Sequence, residues 1–272
     1  MKVAIVIPVL NQWHYTRDCL NDLAATVPPA TRIIVVDNAS TDETRAGLAR
    51  QAGLTVVSNP ENLGCAKAWN QGVAAAPEAD AIVVLNNDVR LAAGWLEGLL
   101  AFAAAEDAGI ASPGIREGEL NYDFSAYARA YTAAMRDTVR WGAANGICFL
   151  VQRRVFNQVG MFDENFRIGQ FEDADFFRRT RLAGFRLGST GRSFLHHFGS
   201  ITQNALRRQP GVRPYEAENR AYFRAKWRLG WFRRRWDRWV AKTQTARWSR
   251  RERSHCGHTL HEKWLAGRLQ YF

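Results

Sequence analysis

Three carboxylates close together give one segment of this sequence the composition of a catalytic site. The segment runs from Phe171 to Asp175, contains Glu172 and Asp173, and begins a predicted helix. A carboxylate at a helix amino terminus stays ionised and can accept a proton from an attacking hydroxyl. The same segment also fits ordinary helix chemistry, because Asp175 can pair with Arg178 or Arg179 one turn later.

A second segment, Asn86-Asn87-Asp88, follows a short apolar run that predicts a buried strand. Carboxylate oxygens are the hard ligands that Mg²⁺ and Mn²⁺ prefer. His196 and His197 end the last predicted strand, where an imidazole can complete a metal site. Adjacent histidines are also common as structural residues, so the pair alone leaves both interpretations open.

Polar residues follow each of the first four predicted strands. In doubly wound sheets, ligands bind beyond the carboxyl ends of the strands. One such cluster is typical of an ordinary turn, but four in succession predict a ligand site at one sheet edge. The residues singled out there are Pro8, Asn11, Asp37, Asn38, Ser40, Asn62, Gly64, Asn86, Asn87 and Asp88. The sequence has no GxGxxG after the first strand and no P-loop, which disfavours a Rossmann dehydrogenase or a P-loop enzyme.

The elements that must position these residues alternate between short apolar runs and segments of helical period, which predicts an α/β fold. The predicted strands are Val3–Val9, Ile33–Val36, Leu54–Val57, Ala81–Leu85, Ile110–Ser112, Ile147–Val151 and Phe194–His197. The predicted helices are Gln12–Ala25, one opened by Ser40 and Glu43 in capping-box spacing, Cys65–Ala76, Ala92–Ala105, Arg153–Val159 and Glu172–Ala183. The pattern from Pro113 to Gly142 predicts no definite element.

The basic character of the chain lies at its carboxyl end. Residues 1–206 carry 19 Lys and Arg against 21 Asp and Glu, whereas residues 207–272 carry 18 against 5, a net of +13. That tail also holds six of the ten tryptophans. On a helix, Trp227, Trp231, Trp236 and Trp239 would form a stripe among arginines, which favours an anionic membrane interface. The alternative is a helix packed on the body with a solvated basic face.

Composition restricts the class of protein further. With 272 residues and 47% hydrophobic side chains, the chain can bury a full core. A mean hydropathy of −0.32 and no long uncharged apolar stretch predict no transmembrane helix. The amino terminus lacks a small-residue cleavage site, and four scattered cysteines predict buried thiols. We therefore expect a cytoplasmic protein, peripheral on the inner face of the cell membrane if the tail binds lipid.

The order of motifs along the chain resembles the family 2 glycosyltransferases with the GT-A fold, and within them the rhamnosyltransferase-like branch. The resemblance covers about residues 1–230, including the Tyr222-Phe223 to Lys226-Trp227 segment that such proteins often carry after the catalytic domain. The matching motifs are Val6–Asn11, Val35–Asp42, Asn62–Gly72, Leu85–Asp88, Gly160–Phe166 and Glu172–Asp175.

The resemblance implies a role for several residues of the nucleotide-sugar site. Asp37 matches the aspartate that contacts the nucleotide base. The segment from Asn62 to Asn70, with Gly64 and Lys67, matches the one that packs near the ribose and diphosphate. Together with the strand-end residues given above, Lys67 and Asn70 complete the predicted binding set.

The resemblance also implies the catalytic and metal residues. Asn86-Asn87-Asp88 stands at the family's Asp-x-Asp, and Asn86 replaces its first aspartate, so coordination of Mn²⁺ or Mg²⁺ depends on Asp88 and a histidine. His197 fits the family's spacing to Gly199 and Thr202 better than His196 does. Asp173 matches the general base, and Glu172 would orient the site or bind the acceptor.

The resemblance therefore implies a metal-dependent inverting glycosyltransferase that moves a sugar from dTDP-rhamnose or a UDP-sugar to a hydroxyl of a glycan or lipid-linked saccharide in cell-surface polysaccharide synthesis. We expect a GT-A catalytic domain over residues 1–206, with a nucleotide-sugar half at 1–112 and an acceptor half at 113–206. A basic helical extension would follow at 207–272.

Two other classes of protein are weighed against this one. A nucleic-acid-binding protein would use the basic aromatic tail, but it leaves the strand-end polar clusters without a purpose, so no nucleic-acid partner is expected. A sugar nucleotidyltransferase would need a Gly-rich basic loop after the first strand, where this chain has Pro8-Val9-Leu10-Asn11.

Overall fold

The computed structural model describes residues 1–199, 201, 205 and 215–272. Its strands include the apolar runs that the sequence predicts, together with further strands that it does not. They are β1 (Val3–Val9), β2 (Arg32–Asp37), β3 (Leu54–Ser58), β4 (Ala81–Leu85), β5 (Val89–Leu91), β6 (Ala108–Glu117), β7 (Val139–Trp141), β8 (Cys148–Gln152), β9 (Arg186–His197), β10 (His261–Leu265) and β11 (Arg268–Tyr271).

Helices occupy most of the connections between the strands. They are α1 (Trp13–Thr26), α2 (Thr44–Ala49), α3 (Cys65–Ala74), α4 (Trp95–Ala105), α5 (Phe124–Met135), α6 (Arg153–Val159), α7 (Glu172–Leu182), α8 (Tyr215–Lys226) and α9 (Trp231–Cys256).

The strands form one mostly parallel mixed sheet flanked by helices, as predicted. Its main path runs β11-β10-β6-β8-β4-β1-β2-β3, and β9 pairs parallel with β6 off that path. The pairs β1–β2, β2–β3 and β1–β4 are parallel, so their carboxyl ends meet at one edge. The antiparallel β8 lies between β4 and β6.

Side chains of β1 alternate between two apolar cores, as the two-residue period of a strand requires. Ile5 and Ile7 pack on the face covered by α1 and α4, where Trp95 is buried. Val6 packs on the opposite face with Trp69 of α3 and Phe176 of α7. The sheet is therefore buried on both faces, and its edge is left to carry polar residues.

Several regions differ from the sequence prediction, among them the last predicted strand, which begins at Arg186 rather than at Phe194. The strand predicted at Ile110–Ser112 extends through Pro113 to Glu117, and the unassigned segment after it holds α5 and β7. Helix α2 begins at Thr44 rather than after Ser40, because Ser40 Oγ accepts a hydrogen bond from the Asn11 backbone N–H (2.7 Å). The Asp42 carboxylate accepts from the Thr44 N–H instead (2.9 Å).

The basic tail contains the expected helices α8 and α9 and, in addition, a hairpin that the sequence did not predict. Strand β10 pairs parallel with β6, and β11 pairs antiparallel with β10. Glu252 at the end of α9 forms a buried ion pair with Arg140 of β7, with both nitrogen–oxygen distances at 2.7 Å. The predicted boundary at residues 206 and 207 lies outside the described residues.

Candidate active site

A cavity of about 320 Å³ opens at the carboxyl ends of β1, β4, β6 and β9, opposite the amino terminus of α7. Its position is that expected for a ligand site of an α/β sheet. Nine of the predicted site residues line it: Pro8, Asn38, Asn62, Asn86, Asn87, Asp88, Glu172, Asp173 and His197.

Amide side chains form one wall of this cavity and are fixed by hydrogen bonds. Asn38 Nδ2 donates to the Gly64 carbonyl (3.2 Å), and Asn59 Nδ2 donates to Asn38 Oδ1 (2.8 Å). Asn62 Oδ1 accepts from the Gly64 N–H (3.0 Å). The loops after β2 and β3 therefore support each other, and they present Asn38 and Asn62 to the cavity.

Three further predicted residues, Asn11, Asp37 and Ser40, are not among those that line the cavity. Asp37 is fully buried and accepts from Arg45 Nε (3.1 Å) and from the Ser40 N–H (2.9 Å). Asn11 has a left-handed backbone (φ 56°), and its Oδ1 accepts from the Thr41 N–H (2.7 Å). These contacts hold the loop after β2 in place beside the cavity.

Lys67 and Asn70 lie on α3, outside the set of residues that line the cavity. The buried Asn70 side chain bonds to both backbone groups of Phe162, at 2.9 and 3.0 Å, and donates to Glu164 (2.8 Å). Asn70 therefore joins α3 to the Gly160–Phe166 segment, a contact between residues more than 90 positions apart.

A buried histidine lies between two carboxylates at the opposite end of the cavity. His197 Nε2 is 3.3 Å from Asp88 Oδ1, and His197 Nδ1 is 3.7 Å from Glu117 Oε2. Neither ring nitrogen has a hydrogen-bond partner among the described residues, so these are ion-pair contacts. Burial lowers the pKa of His197, but the two carboxylates outweigh that effect and raise it to about 9.

Asp88 is ionised in this setting. Burial alone would raise the pKa of the Asp88 carboxyl, but His197 and the Ile201 backbone N–H bring the pKa below its usual value. Asn87 beside it donates to Thr16 Oγ1 (2.8 Å), which fixes the turn between β4 and β5. The turn therefore directs a charged oxygen into the cavity.

His196 points away from this cavity, because neighbouring residues of a strand face opposite sides of the sheet. Its Nδ1 lies 3.0 Å from the Tyr122 hydroxyl. Burial and the charge of His197 lower its pKa to about 4. The structure thus places His197, and not His196, beside Asp88. Thr202, the last residue of the histidine spacing used above, lies outside the described residues.

Asp88 and His197 have the character of a partial metal site. Among the residues that the structure describes, no group of three or more His, Cys, Asp and Glu side chains is arranged to hold a metal ion. Mg²⁺ and Mn²⁺, however, are often held by one or two protein ligands together with phosphate oxygens and water. An ionised oxygen 3.3 Å from a buried imidazole nitrogen that makes no hydrogen bond within the described residues fits such a substrate-completed site, in which a cation would replace the proton that the raised pKa keeps on His197.

Glu172 and Asp173 begin α7 and both line the cavity, where Glu172 is buried and Asp173 is half-buried. Burial and the charge of Asp173 raise the pKa of Glu172 to about 8, and burial also raises the pKa of Asp173. Glu172 Oε2 has no hydrogen-bond partner in the described part of the chain. A Cβ atom at Gly146 would clash with the Asp173 carboxylate, so that glycine makes room for it.

The loop before this acidic pair has an unusual backbone. Ile168, Gln170 and Phe171 all have positive φ, at 59°, 74° and 76°, a region that costs energy for residues other than glycine. Asn219 of α8 holds the loop: Oδ1 accepts from the Arg167 N–H (2.9 Å), and Nδ2 donates to three carbonyls of residues 167–170.

Asp175, the third carboxylate of the segment, has a structural environment. Its buried side chain accepts from Arg179 Nε (2.8 Å), as the helix spacing predicts, and from Trp227 Nε1 (2.9 Å). Lys226 Nζ lies 2.8 Å away. Asp175 therefore fastens the end of α8 to α7, next to the acidic pair.

Glu117 also lines the cavity with a carboxylate, and it was not among the predicted site residues. It ends β6, so the rule that polar residues at strand ends form the site would have found it if the strand had been predicted at its full length. Two further lining residues, Ile168 and Gln170, come from the strained loop, for which the sequence contains no local signal.

Comparison with known proteins defines the class to which this fold and site belong. Residues 4–176 match the family described as glycosyl transferase family 2, and the chain belongs to that family. Among its relatives are the uncharacterized proteins Mb1552 of Mycobacterium bovis and Rv1525 of Mycobacterium tuberculosis. Each is 29% identical over 214 residues, which cover 75% of this chain and 77% of the relative.

Solved glycosyltransferase structures share the fold. TarS 1-349 of S. aureus in complex with UDP is 18% identical, with a TM-score of 0.58, over 72% of this chain and 60% of that one. The mannosyltransferase PcManGT from Pyrobaculum calidifontis, in complex with GDP-Man and Mn²⁺, is 18% identical, with a TM-score of 0.57, over 82% and 69%. GalNAc-T7 with UDP, GalNAc and Mn²⁺ is 14% identical, with a TM-score of 0.59, over 83% and 54%.

Proposed function

We propose that this protein is a metal-dependent inverting glycosyltransferase that moves a sugar from a nucleotide-diphosphate donor to a hydroxyl of a glycan or lipid-linked saccharide. The observation that carries the proposal is the single cavity that brings Asp88 and His197 together with Glu172 and Asp173. One pair supplies ligands for a cation at a diphosphate, and the other supplies a proton acceptor. The family match favours this function over a nucleotidyltransferase or a nucleic-acid-binding protein.

In the proposed reaction, the acceptor hydroxyl oxygen forms a bond to the anomeric carbon of the sugar. The bond from that carbon to the diphosphate oxygen breaks, and its electron pair leaves with the nucleoside diphosphate. The hydroxyl proton goes to Asp173. A divalent ion held by Asp88 and His197 would stabilise charge on the departing diphosphate when it is bound.

The titration of the acidic pair supports Asp173 as the base. Burial raises the pKa of both carboxyls, and the charge of Asp173 raises that of Glu172 to about 8, so one member of the pair holds a proton near neutral pH, and we assign that proton to Glu172. Near neutral pH, Glu172 then keeps its proton and can donate a hydrogen bond to the acceptor or hold it in position, while the Asp173 carboxylate accepts the proton.

The proposed donor is dTDP-rhamnose or a UDP-sugar. UDP and GDP-Man are the ligands named for the related folds, and Asn38 and Asn62, which line the cavity, would contact the nucleotide. Asp37, Ser40 and Asn11 would shape the base pocket from behind. The proposed process is the synthesis of a cell-surface polysaccharide.

A ligand screen tests this function first. A ligand that binds the native state raises its melting temperature, and raises it more the tighter it binds, so UDP, dTDP and GDP are compared with and without Mn²⁺. We expect one diphosphate to stabilise the protein and its sugar nucleotide to be hydrolysed slowly. No stabilisation by any nucleotide and no turnover would refute the transferase assignment.

The variant Asp173→Asn then tests the base. It keeps the side-chain size, so we expect donor binding and melting temperature near wild type and a fall in sugar transfer of roughly 10²-fold or more. Asp175→Asn is the matched control, because Asp175 contacts Arg179, Lys226 and Trp227 rather than the cavity. Transfer within a few-fold of wild type in Asp173→Asn would place the base elsewhere.

We also propose that the amino-terminal half of α9 docks on an anionic membrane surface. Its aromatic side chains are exposed: Phe232 by 81%, Trp236 by 61%, Trp239 by 58% and Trp231 by 55%. Arg233, Arg235 and Arg238 are exposed among them. Aromatic rings beside arginines suit the headgroup region, and no helix within the described ranges is both long and apolar enough to span a bilayer.

Point variants test this docking. Trp236→Ala with Trp239→Ala should reduce cosedimentation with anionic vesicles while leaving donor hydrolysis in solution unchanged. Trp248→Ala is the control, because Trp248 lies under Arg140 in the packed half of the helix. Equal retention on anionic and neutral vesicles would exclude electrostatic docking, and equal retention of the double variant and wild type would exclude the aromatic face.

A further inference from the structure

The carboxyl-terminal hairpin reaches the back of the proposed metal pair. Glu117 Oε1 lies 2.5 Å from His261 Nε2 of β10, and Glu117 Oε2 lies 3.6 Å from Lys263 Nζ of the same strand. The same Oε2 atom is 3.7 Å from His197 Nδ1. Five side chains thus form a continuous line of close polar contacts, from His261 and Lys263 of the hairpin through Glu117 and His197 to Asp88.

Strand pairing fixes this line in register. Strand β6 lies between β9 and β10 and is parallel to both, with Glu117 opposite His197 on one side and Lys263 on the other. The Gly118 N–H donates to the His197 carbonyl (2.9 Å). Gly118 has φ 110°, and a Cβ atom there would lie 2.8 Å from the Trp264 carbonyl oxygen, so the hairpin approaches as closely as glycine allows.

We propose that Glu117, held by His261 of the carboxyl-terminal hairpin, is a positioning residue that orients the His197 ring for metal binding. The inference rests on the proposed function, because it concerns the metal that a nucleotide-sugar site would take. Its new content is that the hairpin at residues 261–271 is part of the active site rather than an accessory to it.

The physical reason is the two-sided chemistry of imidazole. A ring whose Nδ1 faces a carboxylate is fixed in orientation, and its Nε2 can bind a cation once it has lost its proton. In this structure, Nδ1 faces Glu117 and Nε2 faces Asp88 and the cavity. Glu117 in turn is kept in place from the hairpin side by His261, whose contact is the shortest in the line.

A purely structural ion pair at the end of a strand is the competing interpretation. It would predict a loss of stability when Glu117 or His261 is removed, without a selective effect on metal affinity. The experiment must therefore measure metal binding and nucleotide binding separately.

Mn²⁺ binding to the full-length protein, measured by electron paramagnetic resonance with saturating UDP or dTDP, separates the two interpretations. We expect Glu117→Ala to weaken Mn²⁺ binding roughly 10- to 100-fold, the usual effect of removing a carboxylate behind a metal-bound histidine. Glu117→Gln should fall between it and wild type, because its amide oxygen still accepts a hydrogen bond. Metal-free nucleotide binding should change less than about twofold.

His261→Ala provides the test if Glu117→Ala does not fold, because His261 is partly exposed and sits on the outer side of the line. It should weaken Mn²⁺ binding less than Glu117→Ala does, and the double variant should be no weaker than Glu117→Ala alone, since His261 acts through Glu117. Glu119→Ala, an exposed neighbour, is the control.

Mn²⁺ affinity within about twofold of wild type in folded Glu117→Ala and His261→Ala would overturn the proposal. An equal loss in Glu119→Ala would overturn it as well. If the wild type binds no Mn²⁺ but turns over a sugar nucleotide in EDTA, this inference fails and the transferase function stands. If it neither binds nor turns over any nucleotide, the proposed function fails first.

Discussion

Asn219 should control sugar transfer although it lies on α8 and does not line the cavity. Its side chain makes four hydrogen bonds to the backbone of residues 167–170, the loop that leads into Glu172 and Asp173. At about 0.5–1.5 kcal/mol net for each bond, Asn219→Ala should lower the free energy of unfolding by about 2–6 kcal/mol.

The loop should also change its conformation, because three of its residues have positive φ and each costs about 1–3 kcal/mol. That strain is similar in size to the hydrogen bonding that Asn219 provides, so without Asn219 the loop relaxes. A displacement of about 1 Å at a reacting group can lower a rate by about 10²-fold, and we expect transfer to fall at least tenfold.

The assay compares urea unfolding with transfer at a temperature where every variant is folded. Asn219→Asp should be at least as damaging as Asn219→Ala, because its carboxylate would face the three carbonyls to which Nδ2 now donates. Arg220→Ala, an exposed neighbour on the same helix, is the control. A stability loss below about 1 kcal/mol together with near-normal transfer in Asn219→Ala would refute this reasoning.

Three further predictions concern charge. Asp88→Ala should abolish transfer and the Mn²⁺-dependent part of nucleotide binding in a protein that still folds; unchanged turnover of the variant in EDTA would contradict this. Burial and the charge of Asp173 raise the pKa of Glu172 from 4.5 to about 8. Between these pH values the folded protein keeps a proton that the unfolded chain has released. The free energy of unfolding should therefore fall as pH rises from 4.5 to about 8. Glu172→Gln should flatten that slope in urea titrations, and an unaltered slope would argue against the shift. Arg140→Met should lower the free energy of unfolding by about 3–5 kcal/mol, because it leaves Glu252 buried without its ion-pair partner. The double variant Arg140→Met with Glu252→Gln should recover part of that loss in the same urea titrations.

The amino-terminal half of the fold could be predicted because its information is local. Buried parallel strands are continuous apolar runs, and Val3–Val9 and Ala81–Leu85 have the predicted bounds. The polar residues that follow such strands meet at one edge whatever the details of the loops are. For this reason Asn38, Asn62 and Asp88 could be assigned to a common cavity from the sequence.

The rest of the site depends on contacts that the sequence pattern does not encode. Strand β6 contains Ser112, Pro113 and Arg116, which interrupt an apolar pattern. They are accommodated by distant partners: Asn145 bonds to the first two, and the Arg116 guanidinium lies 3.7 Å from the centre of the Tyr122 ring. Because these partners come from other elements, the strand was predicted too short and Glu117 was missed.

Asn70 shows the opposite case, a residue in a predicted binding segment whose side chain is occupied by the backbone of Phe162. Its type and position fit either role, since an amide can bond to a ligand or to a loop with the same geometry. The choice is made by which partner the fold brings within reach. The role that the resemblance implies for Asn70 in donor binding stays a prediction, and an indirect effect through the Gly160–Phe166 segment is the one that these contacts support.

The tail joins two functions that have to be tested separately. Its exposed half, around Trp236 and Trp239, is the proposed membrane face, whereas its last strands belong to the sheet and contact Glu117. A deletion of residues 231–272 would remove both, together with the buried partner of Arg140. Loss of vesicle binding in such a truncation would therefore say nothing about the aromatic face, because the active site would be damaged at the same time. Point variants on α9 leave the hairpin intact. Only such variants can show whether the amino-terminal half of α9 holds the enzyme at a membrane surface while the hairpin at the other end of the tail supports the active site.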